Sequence, residues 1–299
     1  MGTPSHHPVL VDEVVELLHG RETVIDCTLG PGGHAEALLR AGAGLVIGID
    51  RDPEAVQEAT VRLAPFGERF RAHRARFSQV LEAAAESGVE QVDGVLYDLG
   101  VSSRHLDDPA RGFAYRAEGP LDMRMGDDGP SAAELVNTAS EQELVRILRE
   151  YGEERFSGRI ARAIVRRRPI ATTTQLAAIV AAAVPKKRGG AHPARRTFQA
   201  LRIAVNAELE ELATSLPQVA SLLGPHGRMV AISYHSLEDR IVKRFVAERP
   251  DLKVLTRKPL RPSEEEVAGN PRARSARLRA AEKMLDEGLY PPGGGGSAA

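Results

Sequence analysis

Short apolar runs alternate with amphipathic stretches over residues 23–98. The apolar runs predict buried strands at 23–27, 45–49, 70–75 and 94–97. The stretches between them predict helices at 34–41, 53–63 and 78–87. Strands and helices that alternate through short connections are typical of right-handed βαβ units, so we expect a parallel sheet.

The pattern changes between residues 105 and 215, where strand signals nearly vanish. Helices are predicted there at 141–150, 154–167, 174–183 and 195–215. A strand at 228–232, a helix at 237–248 and a last strand at 253–256 then complete the chain. We therefore expect an α/β, Rossmann-like fold with a mostly parallel sheet, split into 1–104 and 216–299 by an inserted all-α domain at 105–215. The low-complexity tail at 293–299 is expected to be disordered.

Composition excludes several classes of protein. The chain has 299 residues and one cysteine, Cys27, which cannot form an intrachain disulfide or a cysteine-rich metal site. Residues 1–10 predict no signal peptide, and the longest apolar run, 177–184, is far shorter than the roughly 20 residues of a membrane helix. We expect a cytoplasmic protein, and the sequence indicates no metal site.

A glycine-rich segment joins the first predicted strand to the first helix: Asp26-Cys27-Thr28-Leu29-Gly30-Pro31-Gly32-Gly33-His34. Glycines let the backbone approach a ligand, and a helix start offers free N–H groups. Asp50 closes the second strand, where a carboxylate can bind both hydroxyls of an adenosine ribose. A nucleoside cofactor is therefore favoured over a simple tight turn.

The spacing leaves two cofactors open. Gly30, Gly32 and Ala35 also match the dinucleotide fingerprint in its Gly/Ala form. Asp26, just ahead of the glycines, favours S-adenosylmethionine, because a carboxylate can bind that cofactor's ammonium group.

Two further constellations follow predicted strands. Asp98 ends the fourth strand and is expected to face the same crevice as Gly32 and Asp50, although a turn aspartate is the alternative. His235 and Asp239 follow the strand at 228–232. The alternative for Asp239 is a helix start capped by Ser236, with Asp239 three residues on.

These residues carry a family resemblance that runs from residue 6 to about 283. The chain resembles the bacterial ribosomal small-subunit RNA methyltransferase H (MraW) family. The matching segments are His6-His7-Pro8-Val9-Leu10, Thr28-Leu29-Gly30-Pro31-Gly32-Gly33-His34, Gly48-Ile49-Asp50-Arg51-Asp52-Pro53, Asp98-Leu99-Gly100-Val101-Ser102-Ser103, Arg111-Gly112-Phe113, Pro120-Leu121-Asp122-Met123-Arg124-Met125, Tyr151-Gly152-Glu153-Glu154, Thr197-Phe198-Gln199-Ala200-Leu201-Arg202, Ser233-Tyr234-His235-Ser236-Leu237-Glu238-Asp239-Arg240 and Asn270-Pro271-Arg272-Ala273-Arg274-Ser275.

The resemblance implies a class I methyltransferase that uses S-adenosylmethionine to methylate N4 of a cytosine in 16S rRNA. It also implies a cofactor site, with Phe77 against the adenine: Gly32, Gly33, His34, Asp50, Phe77, Asp98 and His105. The family usually has Pro-Gln where this chain has Arg104-His105. An imidazole cannot reproduce an amide's donor and acceptor, so the His105 contact is the least secure.

Methyl transfer to a cytosine amine needs alignment and a proton acceptor. Asp98 and His235 are the candidate catalytic residues, with a nearby backbone carbonyl as an alternative acceptor to Asp98. We expect His235→Ala to lower the methylation rate more than the cofactor affinity. The Asp/Ser-Pro-Pro-Tyr motif common in enzymes that use this chemistry on DNA does not occur in the chain.

The net charge of −1 conceals a strong segregation of charge. Residues 155–202 carry 12 Lys plus Arg and no Asp or Glu, so the other 251 residues sum to −13. In a helix, Arg155, Arg159, Arg162 and Arg166 would form one stripe, which suits a phosphate backbone. Residues 186–190 predict a mobile basic loop. A second basic stretch comprises Arg272, Arg274, Arg277 and Arg279.

We therefore expect 16S rRNA as the partner, within the assembled small subunit, because a target base leaves its stack most easily in an open loop. The candidates for base stacking are Phe113, Tyr115, Phe198 and Tyr234, with core packing as the default expectation for Phe198. The competing hypotheses are a methyltransferase acting on another base or on DNA, an NAD-dependent dehydrogenase, and a nucleic-acid-binding module without a working cofactor site.

Overall fold

The computed structural model describes residues 8–185 and 192–285, and these fall into two compact units. The described residues of the helical unit are 51–53, 100–185 and 192–212. The sheet unit consists of residues 8–50, 54–99 and 213–285. The predicted basic loop at 186–190 and the low-complexity tail at 293–299 lie outside the described residues.

Seven strands make up the sheet of the sheet unit. They are β1 (Thr23–Asp26), β2 (Leu45–Asp50), β3 (Phe70–Arg74), β4 (Val92–Asp98), β5 (Leu223–Ser233), β6 (Leu252–Val254) and β7 (Arg277–Lys283). Their order is β3-β2-β1-β4-β5-β7-β6. The first five strands of that order are parallel, and β7 runs antiparallel to both of its neighbours. The predicted α/β fold with a mostly parallel sheet is confirmed.

The helices, in chain order, are α1 (Val11–Leu18), α2 (Gly33–Arg40), α3 (Pro53–Leu63), α4 (Val80–Glu86), α5 (Ser103–Asp107), α6 (Ala132–Thr138), α7 (Glu141–Glu150), α8 (Ser157–Arg166), α9 (Thr173–Ala183), α10 (Arg195–Asn206), α11 (Glu208–Leu222), α12 (Ser236–Glu248) and α13 (Glu264–Gly269). Apolar residues of α1 and α2, such as Val14 and Leu38, share one core with buried residues of β1 and β2. A separate core lies within the helical unit and includes Leu148, Ile164 and Phe198. Across 8–185 and 192–285, no helix is both long enough and apolar enough to span a membrane.

The strand predicted at 253–256 is present as β6, but it is not the last strand of the chain as predicted, because β7 follows it. Arg277 and Arg279 alternate along β7 with Leu278 and Ala280, which are buried. Because of the two arginines, the sequence predicts this segment only as part of a basic stretch. It is a strand with one apolar face, which the sequence pattern does not predict.

The prediction of one helix over 195–215 is also wrong, because Ala207 interrupts it. Ala207 has φ +50°, which ends α10 and starts α11 in a new direction. The side chain of Asn206 bonds to the backbone of Met123 and Met125 at 2.8 and 2.9 Å. Those contacts come from a loop about 80 residues away in the sequence. The local sequence pattern therefore does not predict the break between α10 and α11.

Candidate active site

Three aspartates end neighbouring parallel strands. Asp26 ends β1, Asp50 ends β2 and Asp98 ends β4, and β1 pairs with both other strands. Because adjacent parallel strands end at the same edge of a sheet, the three carboxylates lie along one edge, the position at which open α/β sheets bind ligands. We call Asp26, Asp50 and Asp98 the aspartate edge.

The glycine-rich loop runs along this edge. Gly30 donates its backbone N–H to Asp50 Oδ2 at 2.8 Å. Gly32 has φ +83° and occupies the N-cap position of α2, where it offers no side chain to cap the helix. A Cβ on Gly33 would lie 2.7 Å from the ring of Pro8. The loop therefore requires glycine at both positions, and the first turn of α2 starts without a side-chain cap.

Asp26 is a buried carboxylate with one satisfied oxygen. Its Oδ1 accepts a hydrogen bond from the Thr28 backbone N–H at 3.1 Å. Its Oδ2 has no hydrogen-bond partner among the described residues, and the residue is 1% exposed. Burial raises the pKa of Asp26 to about 6, against the opposing attraction of His34. A cation beside Oδ2 would relieve both effects.

His34 lies in the first turn of α2 and faces Asp98. Its Nε2 is 3.4 Å from Asp98 Oδ2, and neither ring nitrogen makes a hydrogen bond of good geometry within the described chain. Burial alone would lower the pKa of His34, but the carboxylates of Asp98, Asp26 and Glu266 together outweigh burial and raise it, with Asp98 contributing most. The imidazole can therefore donate to an anionic group of a ligand.

Asp98 is held from two other sides. Its Oδ1 accepts a hydrogen bond from the Tyr234 hydroxyl at 2.8 Å, and its backbone N–H donates to Thr28 Oγ1 at 2.6 Å. Sequence reasoning missed Thr28, although its place two residues after Asp26 in the glycine-rich loop is a usable signal. The sequence predicts Tyr234 only as a candidate for base stacking. No local pattern in the sequence indicates its hydrogen bond to Asp98.

Phe77 lies just beyond β3, in a short 3-10 helix at Phe77–Gln79. Its ring meets Tyr97 edge-on, with ring centroids 5.9 Å apart and an interplanar angle of 88°. Tyr97 is fully buried, whereas Phe77 stays half-buried. That partial exposure is compatible with the predicted contact to adenine, which stays a prediction.

His105 belongs to the helical unit and already has partners there. Its Nε2 lies 3.0 Å from Asp52 Oδ2, and its Nδ1 lies 3.1 Å from Ser102 Oγ. Asp52 also accepts a hydrogen bond from Arg111 at 3.0 Å, and the His105 ring packs against Phe113. A cofactor contact by His105 would have to compete with these bonds, and it stays a prediction.

His235 is the N-cap of α12, so the alternative interpretation, in which Ser236 caps this helix, is wrong. The Glu238 backbone N–H donates to His235 Nδ1 at 3.4 Å, and the Glu238 carboxylate accepts from the His235 backbone N–H at 3.2 Å. This reciprocal pair is a capping box one residue earlier than expected. Capping accounts for the position of His235, and its catalytic role stays a prediction.

Asp239 binds two arginines of β7. Arg279 Nε lies 2.6 Å from Asp239 Oδ1, and Arg277 Nη1 lies 3.1 Å from Oδ2. Burial would raise the pKa of Asp239, but the two guanidinium groups outweigh burial and lower it. The predicted second basic stretch comprises Arg272, Arg274, Arg277 and Arg279. The last two therefore stabilise the sheet unit.

The basic residues of 155–202 divide into exposed and structural ones. Arg159, Arg162 and Arg166 are exposed on α8, whereas Arg155 precedes the helix, which begins at Ser157 and not at 154 as predicted. Two others act within the fold: Arg168 donates to the carbonyls of Val136 and Ala139, and Arg202 pairs with Glu208. Of the aromatic candidates for stacking, Phe113 and Phe198 are buried in the helical core, and Tyr115 stacks on His192.

The aspartate edge fits S-adenosylmethionine better than a dinucleotide. Its negative charge attracts an ammonium and a sulfonium and repels a pyrophosphate. An ammonium beside Asp26 would satisfy the orphaned Oδ2, and His34 can donate to a carboxylate. The residues present therefore suit a ligand that combines a nucleoside with a zwitterionic amino acid.

Comparison with known proteins points to one family. The model of the MraW methylase family matches residues 3–284. A ribosomal RNA small subunit methyltransferase H of Acidothermus cellulolyticus is 51% identical, over 94% of each chain. The protein of the same name from Carboxydothermus hydrogenoformans is 47% identical, over 94% of this chain and 98% of its own. A crystal structure described as a putative rRNA-methylase from Clostridium thermocellum is remotely similar to this chain. The alignment covers 93% of this chain and 100% of that chain, with a TM-score of 0.48 and 12% sequence identity.

Proposed function

Because this chain belongs to the MraW methylase family, it is an S-adenosylmethionine-dependent methyltransferase, and we propose that it methylates the exocyclic N4 of a cytosine in 16S rRNA. The observation that carries the proposal is the aspartate edge beside the glycine-rich loop, with its orphaned Asp26 oxygen. The relatives' names supply the class of RNA, and the chemistry of the edge supports a cationic methyl donor.

Each residue at the edge has a proposed contact with the cofactor. Asp50 binds the ribose hydroxyls, and Phe77 packs on the adenine. Gly32 and Gly33 let the backbone approach the amino-acid part of the ligand, where Asp26 accepts from the ammonium. His34 donates to the carboxylate of that part, and Asp98 lies beside the sulfonium. A contact from His105, which the family resemblance implies, stays a prediction. When bound, the cofactor supplies an electrophilic methyl group.

Asp98 is the proposed proton acceptor for the amine. The N4 lone pair of cytosine is delocalised into the ring, so this amine is a poor nucleophile. A carboxylate that accepts a hydrogen bond from N4–H returns electron density to the nitrogen and then takes the proton. The bonds from Tyr234 and Thr28 hold Asp98 for that role. His235 is the second proposed catalytic residue.

The helical unit is the proposed RNA-facing part. Arg159, Arg162 and Arg166 form an exposed stripe on α8 and suit a phosphate backbone. We propose the assembled small subunit as the form of the substrate and the cytoplasm as the place of action.

The test is nucleoside analysis by mass spectrometry of 16S rRNA from cells that lack the protein. We expect N4-methylcytidine to disappear and to return with the wild-type chain but not with Asp98→Asn, whose rate should fall at least about 100-fold. Asp93→Asn is the matched control, since Asp93 lies near the other end of β4 and binds the backbone of Thr23 at 2.9 Å. Persistence of N4-methylcytidine in the deletion strain, or binding of NAD alone in calorimetry, would overturn the proposal.

A further inference from the structure

Tyr234 places a phenol hydroxyl on the carboxylate at the end of β4. The hydroxyl donates to Asp98 Oδ1 at 2.8 Å. The ring is half-buried and packs against the core of the sheet unit. Tyr234 follows β5, in which Ile232 pairs in register with Asp98. Strand pairing therefore brings together two residues that are 136 positions apart in the chain.

The two oxygens of Asp98 have different surroundings. Oδ1 is taken by Tyr234, while Oδ2 faces His34 Nε2 at 3.4 Å. The backbone N–H of Asp98 is held by Thr28 at 2.6 Å. With the main chain and one oxygen fixed, rotation of the carboxylate is restricted, and Oδ2 is the oxygen that remains for an incoming donor.

We propose that Tyr234 is a positioning residue for methyl transfer, which holds Asp98 so that Oδ2 receives the amine proton. The proposal rests on the proposed function, in which Asp98 is the proton acceptor. In that step the N4 lone pair forms a bond to the methyl carbon while the carbon–sulfur bond breaks. The electron pair of the broken bond stays on sulfur, giving the neutral thioether, and one N4 proton passes to Oδ2.

The phenol of Tyr234 remains a hydrogen-bond donor. Burial, together with the Asp98 charge, raises the pKa of Tyr234 well above its ordinary value, so the hydroxyl keeps its proton throughout the working pH range. Removing the hydroxyl should therefore release Oδ1 and let the Asp98 carboxylate rotate away from the orientation that presents Oδ2 to the amine.

The test is Tyr234→Phe, which keeps the ring and removes only the hydroxyl. We expect the single-turnover rate of methyl transfer to small subunits to fall at least about tenfold, while the Kd for S-adenosylmethionine stays within about threefold. We also expect kcat to fall while the KM for small subunits stays within about threefold, because the hydroxyl acts on the proton acceptor and not on substrate binding. The matched control is Tyr97→Phe, which removes a buried hydroxyl that bonds to Ser215 at 2.8 Å instead of to Asp98. This variant should keep the wild-type single-turnover rate even where it lowers the melting temperature.

Two results would overturn the inference. One is a Tyr234→Phe enzyme with the wild-type single-turnover rate, since the ring alone would then suffice. The other is a loss of rate that matches a loss of cofactor affinity, because that pattern indicates a merely structural role. Either result leaves the proposed function intact as long as the wild-type chain makes N4-methylcytidine, so the two proposals fail separately.

Discussion

At the scale of single residues, Asp26 shows how a ligand site is kept at a cost to the fold. Its carboxylate is removed from water, and one oxygen lacks a partner among the described residues. Burial raises its pKa from 3.8 to about 6, so the folded chain binds this proton more tightly than the unfolded chain does. Above that pH the ionised carboxylate is destabilising until a cation neutralises it.

Asp26→Asn is expected to stabilise the ligand-free protein at pH 8, by up to about 3 kcal/mol. The sign follows from the raised pKa: the cost develops as the pH rises from about 4 to about 6 and is complete above pH 6. Denaturant unfolding at pH 8 and pH 4.5 should therefore show a large gain at pH 8 and a small one at pH 4.5. The same variant should bind S-adenosylmethionine more weakly, and a variant that is equally stable at both pH values and binds as tightly would exclude this role.

At the scale of elements, the first turn of α12 has the expected capping box, but a different pair of residues forms it. A serine followed three residues later by an acid is the usual sign of a capping box, and Ser236 with Asp239 matches it. The structure instead uses His235 with Glu238. Asp239 is diverted to Arg277 and Arg279 on β7, a strand that comes 38 residues later. Asp239 therefore takes part in contacts with a distant strand and not in the capping of α12.

Substitution at His235 can separate capping from catalysis. His235→Ala should lower the free energy of unfolding by about 1 kcal/mol, because α12 loses its cap, and His235→Asn should recover most of that loss. If His235 also acts in catalysis, the methylation rate will stay low in both variants while cofactor affinity changes little. Denaturant unfolding and single-turnover kinetics on the same preparations measure the two effects. Recovery of the methylation rate in His235→Asn would show that His235 only caps α12 and has no catalytic role.

At the scale of the whole molecule, charge is segregated along the chain. The total of −1 combines +12 over residues 155–202 with −13 elsewhere. The structure sorts these cations further: Arg159 and Arg166 are exposed, whereas Arg168 and Arg202 are bound within the helical unit. Net charge therefore says little about partners, and the exposed part of the basic segment defines the proposed RNA surface.

Replacing both Arg159 and Arg166 with Gln should weaken binding to small subunits and make it less sensitive to salt. Each lost phosphate contact is expected to reduce the slope of log Kobs against log salt by about 1. Arg244→Gln is the matched control, because Arg244 is also exposed but lies in the sheet unit and pairs with Glu248 at 2.7 Å. Filter binding across a salt series measures the slope. An unchanged slope in the double variant would remove α8 from the RNA surface.

Short apolar runs between amphipathic helices are enough to predict the parallel part of the sheet, since they admit few other arrangements. The same pattern places Asp26, Asp50 and Asp98 at one edge, because parallel strands end together. What those carboxylates touch depends on the folding of the whole chain, as in the bond from Tyr234 to Asp98. The break at Ala207 and the place of Arg277 and Arg279 in a strand depend on it as well. Those features depend on contacts between residues that are far apart in the chain. Such contacts arise from tertiary packing, so the local periodicity of the sequence does not predict them.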